Sequence, residues 1–109
     1  MKPVERITSL QNPRVKRLVK LRDRRHRERE GLILLDEPRV IRRALDAGVA
    51  ASEVYTCAEL LAGDPDARGL AEALAAAGAD VTELAPHVMA KAAYRDDPAG
   101  LLALAAPPA

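Results

Sequence analysis

Four prolines divide this chain. Pro13, Pro38, Pro65 and Pro86 each open a segment with apolar residues at helical spacing, and a short run of β-forming residues follows each one. Proline suits the first helical position, where its missing N–H has no intrahelical acceptor and its φ is already close to helical. Asn12 and Asp64 stand immediately before two of these prolines and are good N-caps, because their side-chain oxygens can accept from the first free amides. The β-forming runs cover residues 31–36, 53–57, 80–84 and 101–105. Alternation of this kind predicts a three-layer α/β/α domain around a four-stranded, largely parallel sheet.

The strands differ in the cover they require. Leu32-Ile33-Leu34-Leu35 is continuously aliphatic and predicts burial on both faces, whereas Asp80-Val81-Thr82-Glu83-Leu84 alternates as a half-exposed strand does. The chain has no Phe or Trp and only Tyr55 and Tyr94 are aromatic, so the core must be packed from Leu, Val, Ile and Ala. At 109 residues it has enough chain for one modest core. No apolar run approaches the ~20 residues of a membrane span, and no apolar signal segment follows Met1, so a cytoplasmic protein without membrane contact is expected.

Charge is distributed unevenly. Residues 1–45 carry fourteen Lys and Arg against six acids, a net charge of +8, and residues 46–109 carry a net charge of −7. A polarity this steep predicts a polyanion-binding end and a scaffold end. The helix beginning at Asn12-Pro13 has Val15, Leu18 and Val19 on one stripe and runs into a stretch from Arg22 to Glu30 with no aliphatic residue after Leu21. That stretch is an exposed helix end or an arm. Lys16, Arg17 and Lys20 on that helix, Arg22, Arg24, Arg25 and Arg27 in the stretch, and Arg39 on the next helix are eight candidate contacts to nucleic-acid phosphates. Arginine prevails after residue 20, which favours bidentate contacts to phosphate. The interleaved acids allow local i,i+4 pairs such as Asp23–Arg27 instead, and a docking surface for an acidic protein partner is the alternative reading. No aromatic base-stacking platform is present in this stretch.

Self-contained catalysis is not expected. The sequence has no glycine-rich phosphate loop and no nucleophile elbow. His26 and His87 stand apart, the single Cys57 reads as a buried inert thiol, and Asp96-Asp97 beside Pro98 reads as turn chemistry. No catalytic, metal-ligating or cofactor-binding residue is therefore assigned.

The order of three phrases resembles SpoU-type (TrmH-type) RNA ribose 2′-O-methyltransferases. Ile7-Thr8-Ser9-Leu10-Gln11-Asn12-Pro13-Arg14-Val15-Lys16 is similar to that family's opening "I-x-S-x-x-N-P-x-V-K". Leu35-Asp36-Glu37-Pro38-Arg39-Val40-Ile41-Arg42-Arg43-Ala44-Leu45 is similar to its strand followed by "E-G-x-R-x-V-x-E-A-L", and Pro98-Ala99-Gly100-Leu101 to its late "P-Q-G" turn. Two departures stand out: Asp36-Glu37 replaces Glu-Gly, which gives up glycine's conformational freedom and adds a negative charge beside Arg39, and Ala99 replaces Gln.

The resemblance implies a substrate-recognition domain with a ribosomal-protein-like α/β/α fold. It implies structured RNA, ribosomal RNA above all, as the partner. A separate C-terminal knotted domain would bind S-adenosylmethionine, supply the catalytic arginine and form the homodimer, leaving this fragment monomeric, without cofactor and not catalytic by itself. The expected organisation is a basic helix and arm over 1–30, an α/β substrate-binding unit over 31–105, and the start of a linker over 106–109.

Overall fold

A computed structural model describes residues 5–93 and 98–107 of the chain. Five strands form one sheet: β1 (Glu5–Ile7), β2 (Ile33–Leu35), β3 (Ala51–Thr56), β4 (Asp80–Leu84) and β5 (Leu101–Ala105), in the order β1-β4-β3-β5-β2. β1 pairs parallel with β4, and β4 parallel with β3. β5 is antiparallel to both β3 and β2.

Two expectations are corrected here. The sheet has a fifth strand, β1, and it is mixed. The reversal has a local cause: β5 enters with Leu101 opposite Thr56, the last residue of β3. β5 thus starts at the end of the sheet where β3 and β4 finish, and it must run the other way.

Six helices are present among the described residues: α1 (Pro13–Lys20), α2 (Arg24–Glu30), α3 (Pro38–Asp46), α4 (Ala58–Leu61), α5 (Pro65–Ala76) and α6 (Pro86–Ala92). All four prolines sit in the first helical turn, as read from sequence. Asn12 Oδ1 accepts from the Arg14 amide at 2.9 Å, and Asp64 Oδ1 from Ala67 at 3.1 Å. The first helix does not run on to Gly31. Asp23 Oδ1 accepts from the Arg25 amide at 2.8 Å and caps a second helix. α2 ends at Gly31, whose φ of 68° is open to glycine at little cost. α4 is a further turn of helix that the sequence pattern did not predict.

Side-chain alternation along the strands feeds two core layers. Tyr55, Leu102, Leu104 and Leu84 pack with Val15, Leu18 and Leu21 of the α1 end and with Val88 and Met89 of α6. Val54, Leu101 and Ala103 pack on the other face with Ile41 of α3, Leu61 of α4, and Leu70 and Leu74 of α5. β5 is interior, and all five of its residues are buried. β2 lies at the sheet edge, so Ile33–Leu35 are only half-buried and not fully covered as expected. Ile7, Val15, Leu18 and Leu21 share one core with Tyr55 and Leu102, so residues on both sides of the expected division at residue 30 pack together. Gly100, at φ 86°, brings the turn before β5 against α4; a Cβ there would stand 2.8 Å from Leu60 Cβ.

Candidate nucleic-acid interface

The positive residues of α1 fall into two sets by helical position. Arg14 and Arg17 turn toward the sheet. Arg14 donates to Glu5 at 3.0 Å and to Thr82 Oγ1 at 2.7 Å, and its guanidinium lies 5.6 Å from the Tyr55 ring centroid. Arg17 donates to both carboxylate oxygens of Glu53 at 3.0 Å and to Glu30 of α2 at 3.0 Å. Glu53 also accepts from the Tyr55 hydroxyl at 2.6 Å. Lys16 and Lys20, four residues apart, are exposed on the outer side of the same helix.

This network fixes protonation states. Burial pushes the Tyr55 phenol up to about 12, and the neighbouring Glu53 carboxylate adds to the shift. Burial alone would raise the Glu53 carboxyl, but the Tyr55 hydroxyl and the Arg17 guanidinium overcome it and hold the group below its ordinary value. Burial opposes the Arg17 charge, yet Glu53 and Glu30 raise its pKa on balance. The pairs therefore stay ionised at neutral pH and tie both α1 and α2 to the sheet.

α2 has no buried residue and is held by polar contacts. Arg27 donates to the Leu21 carbonyl at 2.9 Å and the Arg22 carbonyl at 2.8 Å, satisfying oxygens at the end of α1. Arg22 reaches the Lys91 carbonyl of α6 at 3.3 Å. Arg24 pairs with Glu28 at 2.9 Å, and Arg25 lies 3.8 Å from Asp23. Arg24–Glu28 is a local i,i+4 pair of the kind the interleaved acids allow. Arg24 and Arg25 remain 83% and 85% exposed, where solvent screens an ion pair and it yields readily to a phosphate.

Arg39 is exposed on α3, across the sheet from α1. It lines an open groove of about 810 Å³ with Arg42, Glu37, Asp64 and Asp66, between the start of α3 and the start of α5. The eight residues singled out by sequence therefore do not converge on one point. Lys16, Lys20, Arg24 and Arg25 present charge to solvent on the α1 and α2 side, Arg39 does so on the α3 side, and Arg17, Arg22 and Arg27 also serve the fold.

Sequence reasoning missed the part played by Arg14, Glu53 and Tyr55, because Arg17 and Glu53 are far apart in the chain and no local signal joins them. It also missed Arg42, whose spacing from Arg39 was the available clue.

Cys57 is buried and free. His87 Nε2 lies 2.8 Å from the Thr8 carbonyl. No group of three His, Cys, Asp or Glu residues suited to a metal ion occurs among the described residues. No described helix is long and apolar enough to cross a membrane. Asp96-Asp97 falls outside the described residues.

Comparison with known proteins places this geometry. The family model of the MRM3-like substrate binding domain matches residues 12–103. A crystal structure of an RNA 2′-O ribose methyltransferase superimposes with a TM-score of 0.80 at 36% identity, over 94% of this chain and 38% of that one. An rRNA methyltransferase from Sinorhizobium meliloti gives 0.77 at 23% identity, over 98% and 38% of the two chains. The SpoU methyltransferase AviRb from Streptomyces viridochromogenes gives 0.70 at 21%, over 90% and 34%. The last two likenesses show the fold alone. The chain spans little more than a third of the length of these proteins. No curated protein matches significantly. The family match over most of the chain bears out the SpoU/TrmH-type resemblance carried by the sequence phrases, and the chain belongs to the MRM3-like substrate-binding domain family.

Proposed function

We propose that this domain captures structured RNA, ribosomal RNA in the first place, for an S-adenosylmethionine-dependent ribose 2′-O-methyltransferase of the cytoplasm. Catalysis and homodimerisation would reside in a C-terminal domain, with this domain contributing recognition as a monomeric unit. The observation that carries the reading is the set of exposed cations on α1 and α2: Lys16, Lys20, Arg24 and Arg25 face solvent on two helices that Arg17 fastens together through Glu30. Contacts from such a surface to phosphates release counterions and position the RNA, while RNA shape supplies specificity.

Arg17, Arg22 and Arg27 act in this reading as supports that hold the two helices in register, and Arg39 adds a contact at the α3 side. The 810 Å³ groove is open and lined by charged side chains, unlike the largely apolar, enclosed pockets that small ligands occupy, and in this reading the methyl donor belongs to the C-terminal domain.

The test is a salt titration of RNA binding by the wild type and by R24Q/R25Q. Each lost phosphate contact flattens the slope of log K against log salt by about 0.7–0.9. The reading predicts weaker binding and a slope shallower by roughly 1.5. Unchanged affinity and slope, with loss of binding to the catalytic domain instead, would make the surface a protein-docking face.

A further inference from the structure

The groove between the starts of α3 and α5 holds charge of both signs that the fold does not use. β2 and β3 each run antiparallel to β5, so both finish at the same end of the sheet, and α3 and α5 begin beyond that end. Ile41 of α3 packs with Ala67, Leu70 and Leu74 of α5, which sets the two helices side by side. Ala99, in the turn into β5, lines the same groove.

The α3 side contributes Glu37, Arg39 and Arg42, and the α5 side contributes Asp64 and Asp66. On other parts of the surface arginines are matched to acids: Arg6 to Glu59, Arg14 to Glu5, Arg17 to Glu53 and Arg24 to Glu28. In the groove, Arg39, Arg42, Glu37 and Asp66 make no side-chain hydrogen bond or ion pair among the described residues, and all four are exposed. Glu37 holds the cap position of α3, but its side chain makes no capping bond. Asp64 is committed, as the cap of α5 through the Ala67 amide. Pro38, Pro65, Leu70 and Ala99 place carbon surface between these charges.

A row of phosphates does not suit this lining, because three carboxylates repel what two arginines attract. A ligand with acceptors on one edge and donors on another does. An open groove of about 810 Å³ admits one residue of a polymer anchored elsewhere. Bases splayed out of RNA loops expose both their Watson–Crick and Hoogsteen edges. Guanine offers O6 and N7 as paired acceptors for an arginine fork, and N1–H and N2–H as adjacent donors for a carboxylate. No other RNA base combines those two edges. We infer that the groove is a guanine-reading subsite, in which Arg39 and Arg42 donate to the acceptor edge of the base and Glu37 and Asp66 accept from its donor edge. The inference rests on the RNA-recognition reading above and adds base readout to the phosphate contacts on α1 and α2.

The experiment measures binding of wild type and E37A/D66A to a structured ribosomal RNA fragment with guanines in its loops. The same fragment with inosine at those positions, which lacks the 2-amino group, is the second probe. Urea midpoints establish that the variant folds, and E37A alone replaces it if the loss of Asp66 unsettles α5. Removing carboxylates beside a polyanion strengthens binding through charge alone. The inference predicts the opposite: E37A/D66A binds the guanine fragment about tenfold more weakly, with the salt slope of wild type. Inosine weakens wild type and has little further effect on the variant. Binding of E37A/D66A as tight as wild type or tighter, with the guanine preference intact, overturns the subsite and leaves the α1 and α2 reading standing. So does unchanged RNA binding with loss of binding to the catalytic domain, which would make the groove a protein-docking site. If wild type itself binds the RNA without salt dependence, both readings fall.

Discussion

Replacing Glu53 with Gln tests whether charge, and not shape alone, ties α1 to the sheet. Gln keeps the size of the side chain and an acceptor for the Tyr55 hydroxyl, but removes the negative charge that faces Arg17 at 3.0 Å. A hydrogen bond to a charged group contributes about 1.5–3 kcal/mol, against about 1 kcal/mol for a neutral one. The Arg17 side chain is about a third exposed (34%), so solvent screens part of that difference, and Glu30 still holds the guanidinium. The expected loss is about 1–2 kcal/mol at neutral pH, equivalent to a fall in Tm of about 5–10 °C for a domain of this size.

The sign with pH separates charge from packing. The Glu53 carboxyl is held below its ordinary value of 4.5 in the folded state. Its contribution is fully present above that value and is lost as pH falls through the lower, folded one. Urea unfolding of wild type and E53Q at neutral pH and at about pH 3 should therefore show a gap that narrows in acid. A gap that persists unchanged in acid, or no gap at neutral pH, would refute the reasoning.

Two further outcomes follow from the same geometry. G100A should destabilise the domain by about 1–3 kcal/mol in thermal unfolding, because the φ of 86° disfavours a side chain and the new Cβ meets Leu60 at 2.8 Å; a Tm equal to wild type would show that the turn yields freely. In a Y94F background, tyrosinate absorbance should rise with a midpoint of about 12, and the stability that Tyr55 contributes should be complete below its ordinary value of 10 and fade as pH climbs through 12. A midpoint near 10 would mean that the ring is solvated.

Much of this fold is written locally. The four proline-led helix starts and the aliphatic strands at 33–35 and 101–105 are visible because capping and periodicity act over a few residues. β1 was not visible, since Glu5-Arg6-Ile7 carries two charges and becomes a strand only through pairing with Thr82, Glu83 and Leu84. The break at Asp23 was hidden for a different reason: an aspartate inside a charged helical run reads as one more surface residue, yet its side chain competes for a backbone amide and starts a new helix. The direction of β5 depends on where the chain re-enters the sheet, which no residue in the strand encodes.

The interface was legible as composition but not as geometry. The sequence points to a basic segment and to Arg39. It does not reveal that Arg17 is committed to Glu53, that Arg27 satisfies carbonyls at the end of α1, or that α3 sits on the opposite layer from α1. Each of these depends on partners that only the folded sheet brings together.

The central claim, that this domain recognises structured RNA, is tested most directly by titrating salt against the affinity of the wild-type domain for a structured ribosomal RNA fragment, with duplex DNA alongside. The account predicts preference for the RNA and a steep decline of log K with log salt. Weak binding of equal strength to RNA and DNA would contradict it.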